Sequence, residues 1–319
     1  MRTHMMFRAA CVGLTVALSA CTSSGGHVSS AAGTSAGRNG GAIKVGSFDF
    51  PESVLLAEIY GQALAANGFP VRMLSNLGPR ELVDPALMNG LLQLVPEYAG
   101  SALEFLSLGH LSPTADVKAA NRALAKSLAG RGLLAAHPAA AEDSNAIVVT
   151  AATAAHYGLR SITDLARVAP RLVFGGPPEC PERAFCLRGL QRAYGLHFKS
   201  FIPLDAGGPL TLQALRAGDI GVGLLFTTDP HISAQHLVIL TDDRALQPAE
   251  NVTPVLRRDV VARYGSGLIA LLNAVSARLT TNSLRDLDAR VDLDGRGPHA
   301  VAEAWLRAQR LIPKGGVGH

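Results

Sequence analysis

Ile43-Lys44-Val45-Gly46-Ser47-Phe48-Asp49-Phe50-Pro51-Glu52 opens as a strand and turns directly into a helix. From Glu52 to Asn67 the apolar residues Leu55, Leu56, Ile59, Tyr60, Ala63 and Leu64 recur at helical spacing, and Gly68 ends the run. Beyond it, Val71 to Ser75 reads as a second strand, Pro79 to Asn89 as a helix with proline at its start and Gly90 past its end, and Leu91 to Val95 as a further apolar run. Strand and helix alternating in this way build an α/β body with largely parallel sheets.

The alternation resumes in the second half. Ala146 to Thr150, Arg171 to Phe174, Lys199 to Pro203, Ile220 to Phe226 and Leu237 to Leu240 read as strands, with helical patterns at Leu187 to Tyr194 and Leu210 to Ala217. Ser161-Ile162-Thr163-Asp164-Leu165 predicts a short helix capped by its serine. After Asn251-Val252-Thr253-Pro254-Val255-Leu256 the chain is helical nearly to its end, and Trp305, on the stretch Pro298 to Leu311, is expected in the core. So many strands exceed one ordinary sheet, which predicts two lobes.

With 319 residues, 48% of them hydrophobic and 17% charged, the chain is not disordered. Residues 1–20 read as a signal peptide: Arg2 and Arg8 precede an apolar stretch from Ala9 through Leu18, and small residues follow. Two of the charges in the formal net +4 belong to that segment, so the near-neutral remainder gives no reason to expect nucleic acid. Leu18-Ser19-Ala20-Cys21 resembles the bacterial lipobox, which implies lipid on Cys21 and anchoring at the outer face of the cytoplasmic membrane. Residues 21–42, rich in Ser, Gly, Ala and Thr, then form a flexible tether. Of the four cysteines, Cys180 and Cys186 remain; an exported context favours a disulfide between them, with a zinc site as the rival reading.

Enzyme signatures are missing. No metal helix, phosphate loop, nucleophile elbow or dinucleotide fingerprint occurs, and the ten histidines, His156, His197, His231 and His236 among them, are scattered singly. Gly207-Gly208-Pro209 either offers N–H groups to an anion or makes a tight turn into a helix. The pattern therefore predicts a binder that needs neither metal nor cofactor and has no catalytic residue.

Several segments in order resemble the substrate-binding proteins of glycine betaine, carnitine and choline ABC importers, the osmoprotectant-uptake branch. They are Val45 to Glu52, Pro96-Glu97-Tyr98-Ala99-Gly100-Ser101 (Pro-Glu-Tyr-Thr-Gly-Thr in that family), Leu204 to Leu210, Phe226-Thr227-Thr228-Asp229-Pro230, and Asn251 to Val255. The resemblance spans about Ile43 to Leu306. It implies a periplasmic-binding-protein-like fold: lobe one from residues 43–140 plus 250–319, lobe two from 141–249, two hinge crossings and a ligand cleft between. It further implies a monomer that hands a small solute to a permease with a cytoplasmic ATPase.

A quaternary ammonium donates no hydrogen bond and is held by aromatic faces. Tyr98 is the expected wall, with Phe48, Phe50, Phe185 and Phe226 as companions, and Asp49, Ser53, Ser101, Asn145, Thr227 and Thr228 as polar anchors. The chain departs from the family pattern in three places. His137 to Asn145 is free of aromatics, Leu212 occupies another place expected to be aromatic, and Phe48 stands where lysine is frequent. A cage with one tyrosine leaves a non-cationic solute, a polyol or an aromatic compound, as the alternative ligand. A lipid-anchored enzyme drawing an acid and base from Asp49, Glu52 and Asp229 is the alternative of another class.

Overall fold

The computed structural model describes residues 41–110 and 114–312. The signal segment, Cys21 and the tether up to residue 40 lie outside the described residues. The strands are β1 Ile43–Gly46, β2 Val71–Leu74, β3 Leu94–Tyr98, β4 Leu133–Ala135 and β5 Asn145–Thr150, then β6 Val173–Gly176, β7 Ser200–Pro203, β8 Val222–Phe226, β9 Leu237–Ile239 and β10 Val252–Arg257. The helices are α1 Pro51–Ala66, α2 Arg80–Met88, α3 Ala99–Ser107, α4 Val117–Ala129, α5 Ala151–Tyr157 and α6 Leu187–Tyr194. They continue as α7 Pro209–Ala217, α8 Pro230–Ala234, α9 Arg258–Tyr264, α10 Ser266–Ser276, α11 Thr281–Asp292 and α12 Pro298–Ala308.

Two five-stranded sheets result, ordered β2-β1-β3-β10-β4 and β7-β6-β8-β5-β9. In the first, β1 runs parallel to β2 and β3 while β10 is antiparallel to β3 and β4. The second repeats this plan: β6 is parallel to β7 and β8, and β5 is antiparallel to β8 and β9. The sheets are thus mixed where the sequence pattern predicts largely parallel ones. In each, the reversed strand is the one that has just arrived from the other sheet, so its direction is set by the crossing and not by a local helix.

The crossings lie side by side. Ala139 and Asp143 donate backbone N–H groups to the carbonyls of Val252 and Glu250, Val252 donates back to Ala141, and Glu142 bridges Asn251. Two lobes of α/β structure joined by paired strands can rotate about this short ribbon.

The first lobe is organised around α1. All six apolar positions predicted for it are fully buried, and its Tyr60 hydroxyl meets Ser276 on α10 at 2.9 Å. Trp305 joins the same cluster. The second lobe buries separate clusters on either face of its sheet, one around Phe174, Leu190 and Val222 and one around Val148, Leu215 and Leu225. Two local expectations change. Ser161 does not cap a helix; the segment is a single-turn 3-10 helix, and the Asp164 carboxylate accepts from the N–H groups of Arg160 and Ser161. Of the apolar run Leu91 to Val95, only Leu94 and Val95 belong to a strand, and Leu91 is exposed.

Candidate functional site

The carboxyl ends of the parallel strands of both sheets face one another, the place where α/β folds bind ligands. A cavity of about 80 Å³ lies there, several times the ~10–15 Å³ that one water needs. Phe48, Phe50, Tyr98 and Phe105 from the first lobe and Phe185 and Phe226 from the second line it. Phe50 is the hub of this set. Its ring centroid lies 6.0 Å from those of Phe48 and Tyr98, and 5.1 Å from that of Phe226 across the lobes. The backbone explains why: Pro51 starts α1 with no N–H to satisfy, and the Phe48 N–H donates to Ser53 Oγ at 2.9 Å, folding the turn that presents both phenylalanines.

Behind the rings is a buried acidic network. The Tyr98 hydroxyl donates to Glu52 Oε1 and the Thr228 hydroxyl to Glu52 Oε2, both at 2.6 Å, so one carboxyl ties the lobes together. Asp143 Oδ1 accepts from Thr227 Oγ at 2.9 Å and from the Thr228 N–H at 3.0 Å. Burial raises the Glu52 carboxyl above its usual range despite these donors. Burial and the neighbouring Glu52 charge push Asp143 and Asp288 well up as well, and burial likewise raises the Tyr98 phenol.

The return crossing contributes Glu250. Its Oε2 accepts from the N–H groups of Gly100 and Ser101 at 3.0 Å, and its Oε1 accepts from the Ser101 hydroxyl at 2.5 Å. Helix α3 has no capping side chain of its own, and Glu250 supplies one from a distance. Gly100 makes the approach possible, since a Cβ there would fall 2.3 Å from Pro248 and 2.9 Å from the Ala249 carbonyl. Burial pushes the Glu250 carboxyl up to about 7.

Two arginines reach the cavity. Arg80 at the start of α2 places its Nη2 on Glu97 Oε2 at 2.9 Å, with its guanidinium 4.9 Å from the Phe48 ring centroid. Arg183 sits on the loop closed by the Cys180–Cys186 disulfide and pairs with Glu81 of the other lobe at 2.9 Å and with Glu179 at 3.1 Å. Asn145 braces that loop, donating to the Phe185 carbonyl at 3.0 Å and to Gln247 at 3.1 Å.

Of the residues singled out in the sequence, Phe48, Asp49, Phe50, Tyr98, Ser101, Asn145, Phe185 and Phe226 line the cavity. Ser53, Thr227 and Thr228 are not among its lining residues. Their hydroxyls serve Phe48, Asp143 and Glu52 behind the wall of the cavity. The turn at Gly207-Gly208-Pro209 is not an anion site either: Asp205 accepts from the N–H groups of Gly208, Leu210 and Thr211. Gly207, at a φ of 68°, passes so close to Phe226 that a Cβ would lie 2.7 Å from its ring. Glu52 has both oxygens occupied and Asp229 caps α8, so they do not form an acid and base pair over the cavity.

Phe105, Glu104, Asp143, Arg80, Arg183 and Glu250 line the cavity without having been picked out in the sequence. Glu97 carried a signal for one of them: a glutamate within a fully buried strand needs a cationic partner, which Arg80 provides. Among the described residues no group of His, Cys, Asp and Glu is arranged to hold a metal ion, and no helix is long and apolar enough to cross a membrane.

Two hinged lobes around one cavity define a solute-binding protein of the kind that works with ABC permeases, not an enzyme. The family described as the substrate-binding domain of ABC-type glycine betaine transport systems matches residues 41–308, and the chain belongs to it; the family is extracytoplasmic. The chain is 30% identical over 287 residues to the glycine-betaine-binding protein of Pseudomonas aeruginosa, covering 86% of this chain and 90% of that one. It is 25% identical over 258 residues to an ergothioneine transport permease and binding protein of Helicobacter pylori, covering 80% of this chain and 45% of that longer one. A crystal structure named for a glycine betaine/carnitine/choline ABC transporter superposes with a TM-score of 0.66 at 23% identity, covering 85% of this chain and 100% of that one.

Proposed function

We propose that this protein captures a small quaternary ammonium solute of the glycine betaine, choline and carnitine type outside the cytoplasm and delivers it to an ABC permease coupled to a cytoplasmic ATPase. One observation carries the reading: six aromatic rings line the space between the lobes together with Asp49, Glu104, Asp143 and Glu250, none of which has an ion-pair partner among the described residues. Ring faces contribute on the order of 0.5–2 kcal/mol each toward such a cation. The phenylalanines thereby make up for the tyrosines that the sequence lacks, which weakens the case for a polyol.

The anchored state belongs to the same proposal. Residues 1–20 are removed, Cys21 carries lipid, residues 21–42 act as the tether, and a monomer works at the outer face of the cytoplasmic membrane. Lobe one comprises residues 43–140 plus 250–319 and lobe two residues 141–249. Cys21→Ser is expected to move the protein from the membrane to the soluble fraction; retention at the membrane would refute the anchor. Titration calorimetry with glycine betaine, choline, carnitine and ergothioneine tests the ligand class. Saturable binding of at least one supports it, and silence toward all four refutes it.

A further inference from the structure

The carboxyl that joins the lobes has a second one at its back. Glu52, at the start of α1, takes the Tyr98 hydroxyl of its own lobe on one oxygen and the Thr228 hydroxyl of the other lobe on the second, both at 2.6 Å. Asp288 of α11 is in hydrogen-bond contact with the same Glu52, is 3% exposed, and keeps its Oδ2 buried without a partner. From the second lobe Asp143 faces the pair, and Asp229 at the head of α8 has a buried Oδ2 that is likewise unpartnered. Asp292, further along α11, faces Asp229 and His231. Cations do not reach the pair: His231 lies on Asp229 at 3.0 Å, and Arg285 turns to the Thr227 carbonyl at 3.3 Å. Among the described residues neither Glu52 nor Asp288 has an ion-pair partner.

Two carboxyls in contact, with no cation beside them, hold each other when one carries a proton. Glu52 already accepts two hydroxyls, whereas an ionised Asp288 would bury an oxygen that no donor meets, so the proton belongs on Asp288. We infer that Asp288 is a positioning residue for lobe closure: in the closed form it donates a proton to Glu52 and so holds the carboxylate that bridges Tyr98 and Thr228, and it releases that proton when the lobes part. The inference rests on the solute-binding reading above and names a regulation of the same site. Burial and the Glu52 charge hold the Asp288 carboxyl well above its usual range, and access of water on opening returns it toward that range. Closure therefore has this support in full below the ordinary carboxylate range and loses it as pH rises through the higher, closed-form value.

Calorimetric titration with the tightest binder among glycine betaine, choline, carnitine and ergothioneine, in two buffers of unlike ionisation enthalpy, counts the protons exchanged on binding. None of these solutes changes charge between about pH 6 and pH 8, so the protons counted belong to the protein. Binding is expected to take up protons and to weaken by about threefold or more across that range. Asp288→Asn, which donates at every pH, should take up fewer protons and bind at least about threefold more tightly than the wild type at about pH 8. Asp288→Leu, with no donor, should bind at least about fivefold more weakly than Asp288→Asn. A wild-type affinity and proton count indifferent to pH, an asparagine variant that titrates as the wild type does, or a leucine variant equal to the asparagine one overturns the inference.

Silence toward all four solutes is the failure of the solute-binding reading, and it is distinct from these outcomes. The inference is then decided on the free protein by small-angle X-ray scattering. The radius of gyration is expected to rise between about pH 6 and pH 8 in the wild type and to rise less in Asp288→Asn. A wild-type radius that is the same at both values, or an equal rise in the variant, overturns it.

Discussion

The two arginines that reach the cavity are held by opposite means. Arg80, in the first lobe, is 9% exposed, paired with a buried glutamate and pressed against an aromatic ring. Arg183, in the second, belongs to a covalently closed loop and pairs at the rim with Glu81, whose side chain is 45% exposed. A rim pair contributes about 0–1 kcal/mol, whereas removing one partner of a buried pair strands the other. The difference teaches that the first wall is set by buried charge and the second by a covalent bridge. The sharpest way to break that contrast is Arg80→Ala, expected to lower unfolding stability in urea by about 3–5 kcal/mol because Glu97 is left buried and unpaired. A loss below about 1 kcal/mol would make the two arginines equivalent.

A wall built of buried charge also responds to pH. Glu250 titrates near 7 in the folded protein and near 4.5 as an ordinary glutamate, so the folded state holds an extra proton between those values. The stabilisation this brings is complete below about 4.5 and is lost as pH rises through about 7, a change on the order of 3 kcal/mol. Glu52, Asp143 and Asp288 act in the same direction. The free protein should therefore melt at a higher temperature at pH 5 than at pH 8, and Glu250→Gln should reduce the difference. A melting temperature that rises with pH would mean that these carboxyls are charged and compensated in the fold.

The parts that sequence made legible share a physical reason. Helix α1 repeats its apolar residues at helical spacing over four turns, and those residues are the ones fully buried. The rings at positions 48, 50, 98, 185 and 226 follow strand ends or a short cysteine loop, places where side chains reach a cleft. The reversed strands β5 and β10 were not legible, because their direction depends on which sheet the chain has left. Nor was Phe105: α3 and the alanine-rich α4 have no distinctive boundary signal beyond Asp116, whose side chain caps α4. Asp143 and Glu250 come from crossings distant in sequence that only the fold lays side by side. Ser53, Thr227 and Thr228 show the converse, since a hydroxyl behind a wall has the same sequence signature as one in front of it.

The smallest of the stability effects tests the covalent half of the contrast. The Cys180–Cys186 bridge closes a loop with a sequence separation of 6, and that loop carries both Arg183 and Phe185 to the cavity. A loop this short restricts the unfolded chain modestly, so Cys180→Ser with Cys186→Ser is expected to cost about 2 kcal/mol of stability. Its effect on binding should be the more telling one. The remaining braces, the Asn145 and Gln247 side chains on the Phe185 carbonyl, hold only one end of the loop, leaving Arg183 to its rim partners. Ligand affinity should therefore fall by about threefold to tenfold even where the variant is fully folded, as the Phe185 ring loses its fixed position. Unchanged affinity in the folded variant would show that hydrogen bonds alone place that ring, and that both walls are set without a covalent pin.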